Sequence, residues 1–209
     1  MKFILFVEGE TEDLAVAAFL KRWLDAELEK PVGLQVVRFR GAGELIKEVS
    51  DRALRALNSP KGDVLAVFAL LDLYECPLPY PSHQMTVDER AKWGKEYMEK
   101  QVGHPRFQQF FAVHETEAWL LSDVGIFPSQ FQKSLTAKSR NPETVNFDEP
   151  PAALLGNLYR TRIPGGYRKT TEGPALFRKL NPRTAYDKCP SLKALLDEML
   201  TLAKQAGLS

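Results

Sequence analysis

The sequence predicts an α/β fold with a mostly parallel, Rossmann-like sheet flanked by helices and a loop-rich helical C-terminal elaboration. Three observations lead there. Residues 3–7 are five apolar residues that run into an acidic, glycine-containing turn, Glu8-Gly9-Glu10-Thr11-Glu12-Asp13. Residues 64–71 form an uninterrupted apolar run of strand length that ends at Asp72. Between and after these runs, helical periodicity alternates with strand signals, as in βαβ units with a parallel sheet.

The elements follow in order. A first strand is expected over 2–7. The helix after it carries Val16, Phe19, Leu20, Trp23 and Leu24 at the spacing of a core-facing stripe. Pro31 and Gly33 end it, and 34–40 alternates as a second strand whose Gln35 and Arg38 place it near an edge. Gly41-Ala42-Gly43 turns into a helix with Ile46, Val49, Ala53 and Leu57 on one face, and 58–63 is a loop. The run 64–71 suits a central strand covered on both faces. Residues 74–83 are proline-rich and bar regular structure. Thr86, with Glu89 three residues later, marks the start of a helix that reaches about 102. A strand over 106–113 stops at His114-Glu115-Thr116-Glu117, and a short helix begins at Ala118. From there 122–151 is expected to be loop, 152–159 a short helix, and 160–174 a flexible basic loop. Pro190 opens a terminal helix with Leu192, Leu195, Leu196, Met199, Leu200 and Ala203 facing inward.

The length of 209 residues suits one domain over 1–209, with a core over about 1–123 and the C-terminal part over about 124–209. A net charge of +1 excludes a uniformly basic coat but leaves local patches open. Residues 158–188 hold eight Lys or Arg against two acids, net +6, while 1–30 hold seven acids against four bases, net −3. No apolar run reaches membrane-spanning length, the first residues show no signal peptide, and two cysteines match neither a disulfide framework nor zinc spacing. A cytoplasmic location and no membrane partner are therefore expected.

In open parallel sheets, ligands bind outside the carboxyl ends of the strands. Glu8, Asp72, Glu115 and Glu117 all follow strand ends, so they are the candidate metal ligands. Hard divalent cations take carboxylate oxygens, and a few converging carboxylates suffice. Glu12 adds a candidate catalytic acid, although Glu12, Asp13 and Glu117 also sit where a helix dipole alone favours acids. Glu10 reads as solvated charge. Lys169, Arg168 and Arg160 are the candidate phosphate contacts, with Lys169 also a catalytic candidate, while Arg178 and Lys179 read as a solvated helix face. His114 and Tyr74 are candidates for supporting the ligands from behind. His83 and His104 carry no zinc spacing, and Cys76 lacks a neighbouring base for nucleophilic chemistry.

Val7-Glu8-Gly9-Glu10-Thr11-Glu12 after a first strand, with Leu71-Asp72-Leu73-Tyr74 after a central one, resembles the Toprim fold of topoisomerases, primases and overcoming-lysogenization-defect (OLD) nucleases. More narrowly, the chain resembles the Toprim-like family called domain of unknown function 4276. His114 to Asp123, Asn141-Pro142-Glu143, Lys169 with Gly173-Pro174, and Cys189-Pro190 extend that resemblance over nearly the whole chain. It implies a Mg2+-dependent nuclease or phosphodiesterase, with Mn2+ as substitute metal, acting on DNA or RNA. Glu8 matches the Toprim glutamate, which implies a catalytic role as general acid/base or metal ligand, and Asp72 matches the first acid of the Asp-x-Asp motif, a magnesium ligand. The second acid is replaced by Tyr74, which leaves Glu115 or Glu117 as the substitute ligand. Lys169 resembles the basic residue near the scissile phosphate. The resemblance further implies phage defence beside a separately encoded ATPase partner. Two other readings stay open: a catalytically degenerate module that binds nucleic acid or an ATPase, and a small-nucleotide hydrolase whose proline-rich loop closes a pocket.

Overall fold

The computed structural model describes residues 1–9, 12–144, 149–163 and 166–209, without the side chains of Glu12, Leu14 and Arg162. Strand β1 is Lys2–Val7, and a π-helical turn over Glu12–Val16 leads into α1, Ala17–Glu27. Then come β2 at Gly33–Arg38, α2 at Ala42–Leu57 and β3 at Val64–Asp72. Helix α3 is Val87–Val102, β4 is Phe107–Ala112, and α4 is Glu117–Leu121. The C-terminal part holds α5 at Ser129–Leu135, α6 at Pro151–Arg162, α7 at Glu172–Lys179, α8 at Pro182–Lys188 and α9 at Pro190–Gln205.

The four strands are all parallel, in the order β2-β1-β3-β4. β1 and β3 are central, and that is why both are almost wholly apolar: each face of the sheet is covered. Phe3, Leu5, Val7, Ala66, Phe68 and Leu70 face one core, where α1, α4 and α9 pack. Ile4, Phe6, Val67, Ala69 and Leu71 face the other, closed by α2 and α3. The edge strand β2 alternates between exposed and half-buried residues, as its polar positions predict. Helix α3 starts with a full capping box between Thr86 and Glu89, satisfying otherwise unpaired amides at its first turn. Arg22 of α1 donates to the carbonyls of Phe177 and Leu180 at 2.8 Å each, fastening the end of α7 to the sheet layer.

The C-terminal half is more helical than its sequence suggests. The expected loop over 122–151 contains α5, anchored by buried Phe131 and Leu135 one helical turn apart. The expected loop over 160–174 is shortened from both sides, by α6 running to Arg162 and by α7 starting at Glu172. Pro174 lies in the first turn of α7, where a missing N–H costs no hydrogen bond. Helix α8, capped by the Asn181 side chain on the Arg183 amide, has no counterpart in the elements the sequence predicts. No described helix is long and apolar enough to cross a membrane.

Candidate metal centre

The parallel register brings the acidic strand ends to one rim. Val7 of β1 pairs with Leu70 of β3, so Glu8 comes level with the end of β3. Asp72, the last residue of β3, pairs with Ala112 of β4. Beyond the strands the contact continues: Leu73 N–H donates to the Ala112 carbonyl at 2.9 Å and Tyr74 N–H to the His114 carbonyl at 2.8 Å. The segment Glu115-Thr116-Glu117 therefore turns directly beside Asp72.

One oxygen from each of Asp72, Glu115 and Glu117 lies within 4.8 Å of the other two. Glu117 is fully buried, whereas Asp72 and Glu115 are half-buried. Each carboxylate is held by a partner that fixes its direction. Asp72 Oδ1 accepts from the Thr116 amide at 3.0 Å. Glu115 Oε2 accepts from the Ala152 amide at 2.8 Å, in the first turn of α6. Glu117 Oε1 accepts from the Tyr167 hydroxyl at 3.4 Å. Unscreened by a cation, such carboxylates repel by about 3 kcal/mol per pair at an effective dielectric near 20. Lys169 relieves part of this, its Nζ lying 3.1 Å from Glu117 Oε2 and 3.4 Å from Asp72 Oδ2.

The other expected site residues fall into distinct places. Glu8 does not share the 4.8 Å cluster; its Oε1 accepts the backbone N–H of Asp72 at 3.0 Å. The Glu12 side chain and Glu10 lie outside the described residues. Arg168, next to Lys169, turns outward and pairs with Glu172 at 3.5 Å. Arg160 is exposed on α6 and donates to Asn157 Oδ1 at 2.9 Å. Tyr74 is half-buried, and its backbone N–H donates to the His114 carbonyl. His114 is buried, and burial lowers its pKa, which favours the neutral imidazole. The Cys76 thiol is pushed up to about 11 by burial and then by the Glu8 charge, so it is no nucleophile at neutral pH.

Thr116, Tyr167 and Ala152 complete the constellation and had no individual signal in the sequence. Two of them contribute a backbone amide, which every residue except proline carries. Tyr167 stands two residues before Lys169, and only the path of the loop turns both toward Glu117.

The donor set fits a hard divalent cation: it is all oxygen, convergent and in excess of negative charge. Which cation it takes is not fixed by that geometry. The chain is similar to the C-terminal region of the Burkholderia pseudomallei OLD protein, at 18% identity over 93% of this chain and 95% of that one, with a TM-score of 0.46. It is similar also to the C-terminal region of the Xanthomonas campestris pv. campestris OLD protein, at 17% identity over 98% and 97%, with a TM-score of 0.45. No curated protein sequence matches it significantly. Residues 7–200 match the model of a domain of unknown function, DUF4276, and since that span covers nearly all of the chain, the chain belongs to the DUF4276 family.

Proposed function

We propose that this protein is a Mg2+-dependent phosphodiesterase that cleaves nucleic acid, with Mn2+ able to replace Mg2+. The observation that carries the reading is the convergence of Asp72, Glu115 and Glu117 within 4.8 Å, with the Lys169 ammonium at its border. Asp72, Glu115 and Glu117 would hold the cation. Bound there, it would supply Lewis-acid stabilisation of charge on a phosphoryl oxygen. Lys169 contacts the phosphate and offsets its charge. Glu8 fixes the Asp72 backbone, and Glu12 is assigned the orientation of water. Arg168 and Arg160, both exposed, contact phosphates of the strand beyond the cleaved bond. The polymer is DNA or RNA, and an ATPase encoded separately is the proposed partner in phage defence.

The alternative of a degenerate binding module drew on Tyr74, which replaces the second acid after β3. The geometry weakens that objection, because Glu117 brings a carboxylate to Asp72 from a different strand end. The test is cleavage of plasmid, single-stranded DNA and RNA with Mg2+, Mn2+ or EDTA, by wild type and by Asp72→Asn and Glu117→Gln. Metal-dependent cleavage lost in both variants supports the assignment. Binding of nucleic acid that ignores EDTA and both substitutions, without cleavage, leaves the degenerate module instead. Hydrolysis confined to free nucleotides would replace the polymer with a small substrate.

A further inference from the structure

The Lys169 ammonium stands where the carboxylates need a cation. It touches Asp72 Oδ2 and Glu117 Oε2, two of the three converging groups. The Glu117 side chain has no exposure and that of Asp72 only 12%, while Lys169 retains 36%. A buried carboxylate without a nearby positive charge is costly, so the fold supplies one from its own chain. Among the described residues, Lys169 brings one positive charge to three converging carboxylates.

Lys169 is suited to leave. Its neighbour Tyr167 is anchored to Glu117 by its hydroxyl, which holds the loop in place from a position two residues away. The lysine reaches in on a flexible four-carbon stem from the solvent side, so its ammonium can withdraw by side-chain rotation alone. A divalent ion on the same oxygens would repel the ammonium at close range, and an arriving phosphate would attract it.

We infer that Lys169 is a built-in placeholder cation: its ammonium and the divalent metal alternate on the oxygens of Asp72 and Glu117. The inference rests on the metal-site reading above. Its consequence is a coupling between ligands. Metal binding must displace Lys169, and a phosphate gives the displaced ammonium a partner, so metal and nucleic acid favour each other's binding reciprocally. Such a centre loads fully only when substrate is present.

Calorimetric titration of Mn2+ alone into wild type and Lys169→Met tests the exchange. Removing the internal competitor tightens Mn2+ binding, on the order of tenfold for one close charge. Equal or weaker binding by Lys169→Met, with wild type binding normally, overturns the placeholder while leaving the metal site intact. Absence of Mn2+ binding in both proteins overturns the placeholder and the metal-site reading together. A measurement on the wild type guards against misfolding of the variant: acetylation of Lys169 by an amine-reactive ester, read by mass spectrometry. Addition of Mn2+ raises Lys169 labelling severalfold if the ammonium is displaced, and unchanged or reduced labelling refutes displacement.

Discussion

Glu8 and Asp72 are joined through the main chain: the Glu8 carboxylate accepts the Asp72 backbone N–H at 3.0 Å. The end of the first strand thereby fixes the backbone from which Asp72 projects into the cluster. Sequence position alone makes the two acids look equivalent, but the geometry distinguishes them: Asp72 stands in the carboxylate cluster and Glu8 accepts its backbone N–H. Glu8→Ala leaves a part-buried amide without its acceptor and should cost about 1–3 kcal/mol in urea unfolding. Glu8→Gln keeps a carbonyl oxygen at the same reach and should cost less than half as much. Equal losses in the two variants would deny the hydrogen bond its role.

A second carboxylate works away from the centre. Glu143 is buried and accepts the amides of Ser191 and Leu192 at 2.8 and 3.3 Å, at the start of α9. Burial raises its pKa above the ordinary 4.5, and the amide bonds only partly oppose that. The folded state thus holds the proton more tightly than the unfolded chain. Stability from this group is fully present below pH 4.5 and is lost as pH rises through the raised value. The expected outcome is that wild type loses stability relative to Glu143→Gln as unfolding is followed from pH 4 upward. Parallel curves for the two proteins would refute it.

Gly94 lies inside α3, where a glycine normally costs stability relative to alanine. Here the helix approaches the sheet so closely that an added Cβ would stand 2.8 Å from Phe111 Cζ and 3.0 Å from Leu78 Cδ1. Both neighbours belong to the packed core. Gly94→Ala is therefore expected to destabilise by about 1–3 kcal/mol, against the helix-propensity trend. A rise in Tm for this variant would mean that the helix can step back from the sheet.

What the sequence reveals depends on how local each signal is. The apolar runs of β1 and β3 are legible because both faces of a central strand are covered, and α3 announces itself through Thr86 and Glu89. Helices α5 and α8 are short, and they persist because Phe131, Leu135 and Ala185 are buried against distant elements, which periodicity over seven residues does not reveal. At the centre, the strand-end acids are legible by position. The opposite directions of Arg168 and Lys169 are not, since they follow from the path of the loop rather than from residue type. The amides of Thr116 and Ala152 leave no trace in the sequence.

Glu115 ties the candidate centre to the C-terminal half. One of its oxygens accepts the Ala152 amide at 2.8 Å, and the preceding Pro150 and Pro151 offer no side-chain acceptor to the first turn of α6. A carboxylate there satisfies an amide and meets the positive end of the helix dipole. Glu115→Ala should loosen the start of α6, with amide exchange over 152–156 accelerated on the order of tenfold, as expected for a lost cap. Glu115→Gln keeps an acceptor and should preserve most of that protection while weakening Mn2+ binding, because the negative charge is gone. The pair of variants thus separates the anchoring of α6 from the proposed attraction of a cation. Unchanged exchange in Glu115→Ala would show that α6 docks without it.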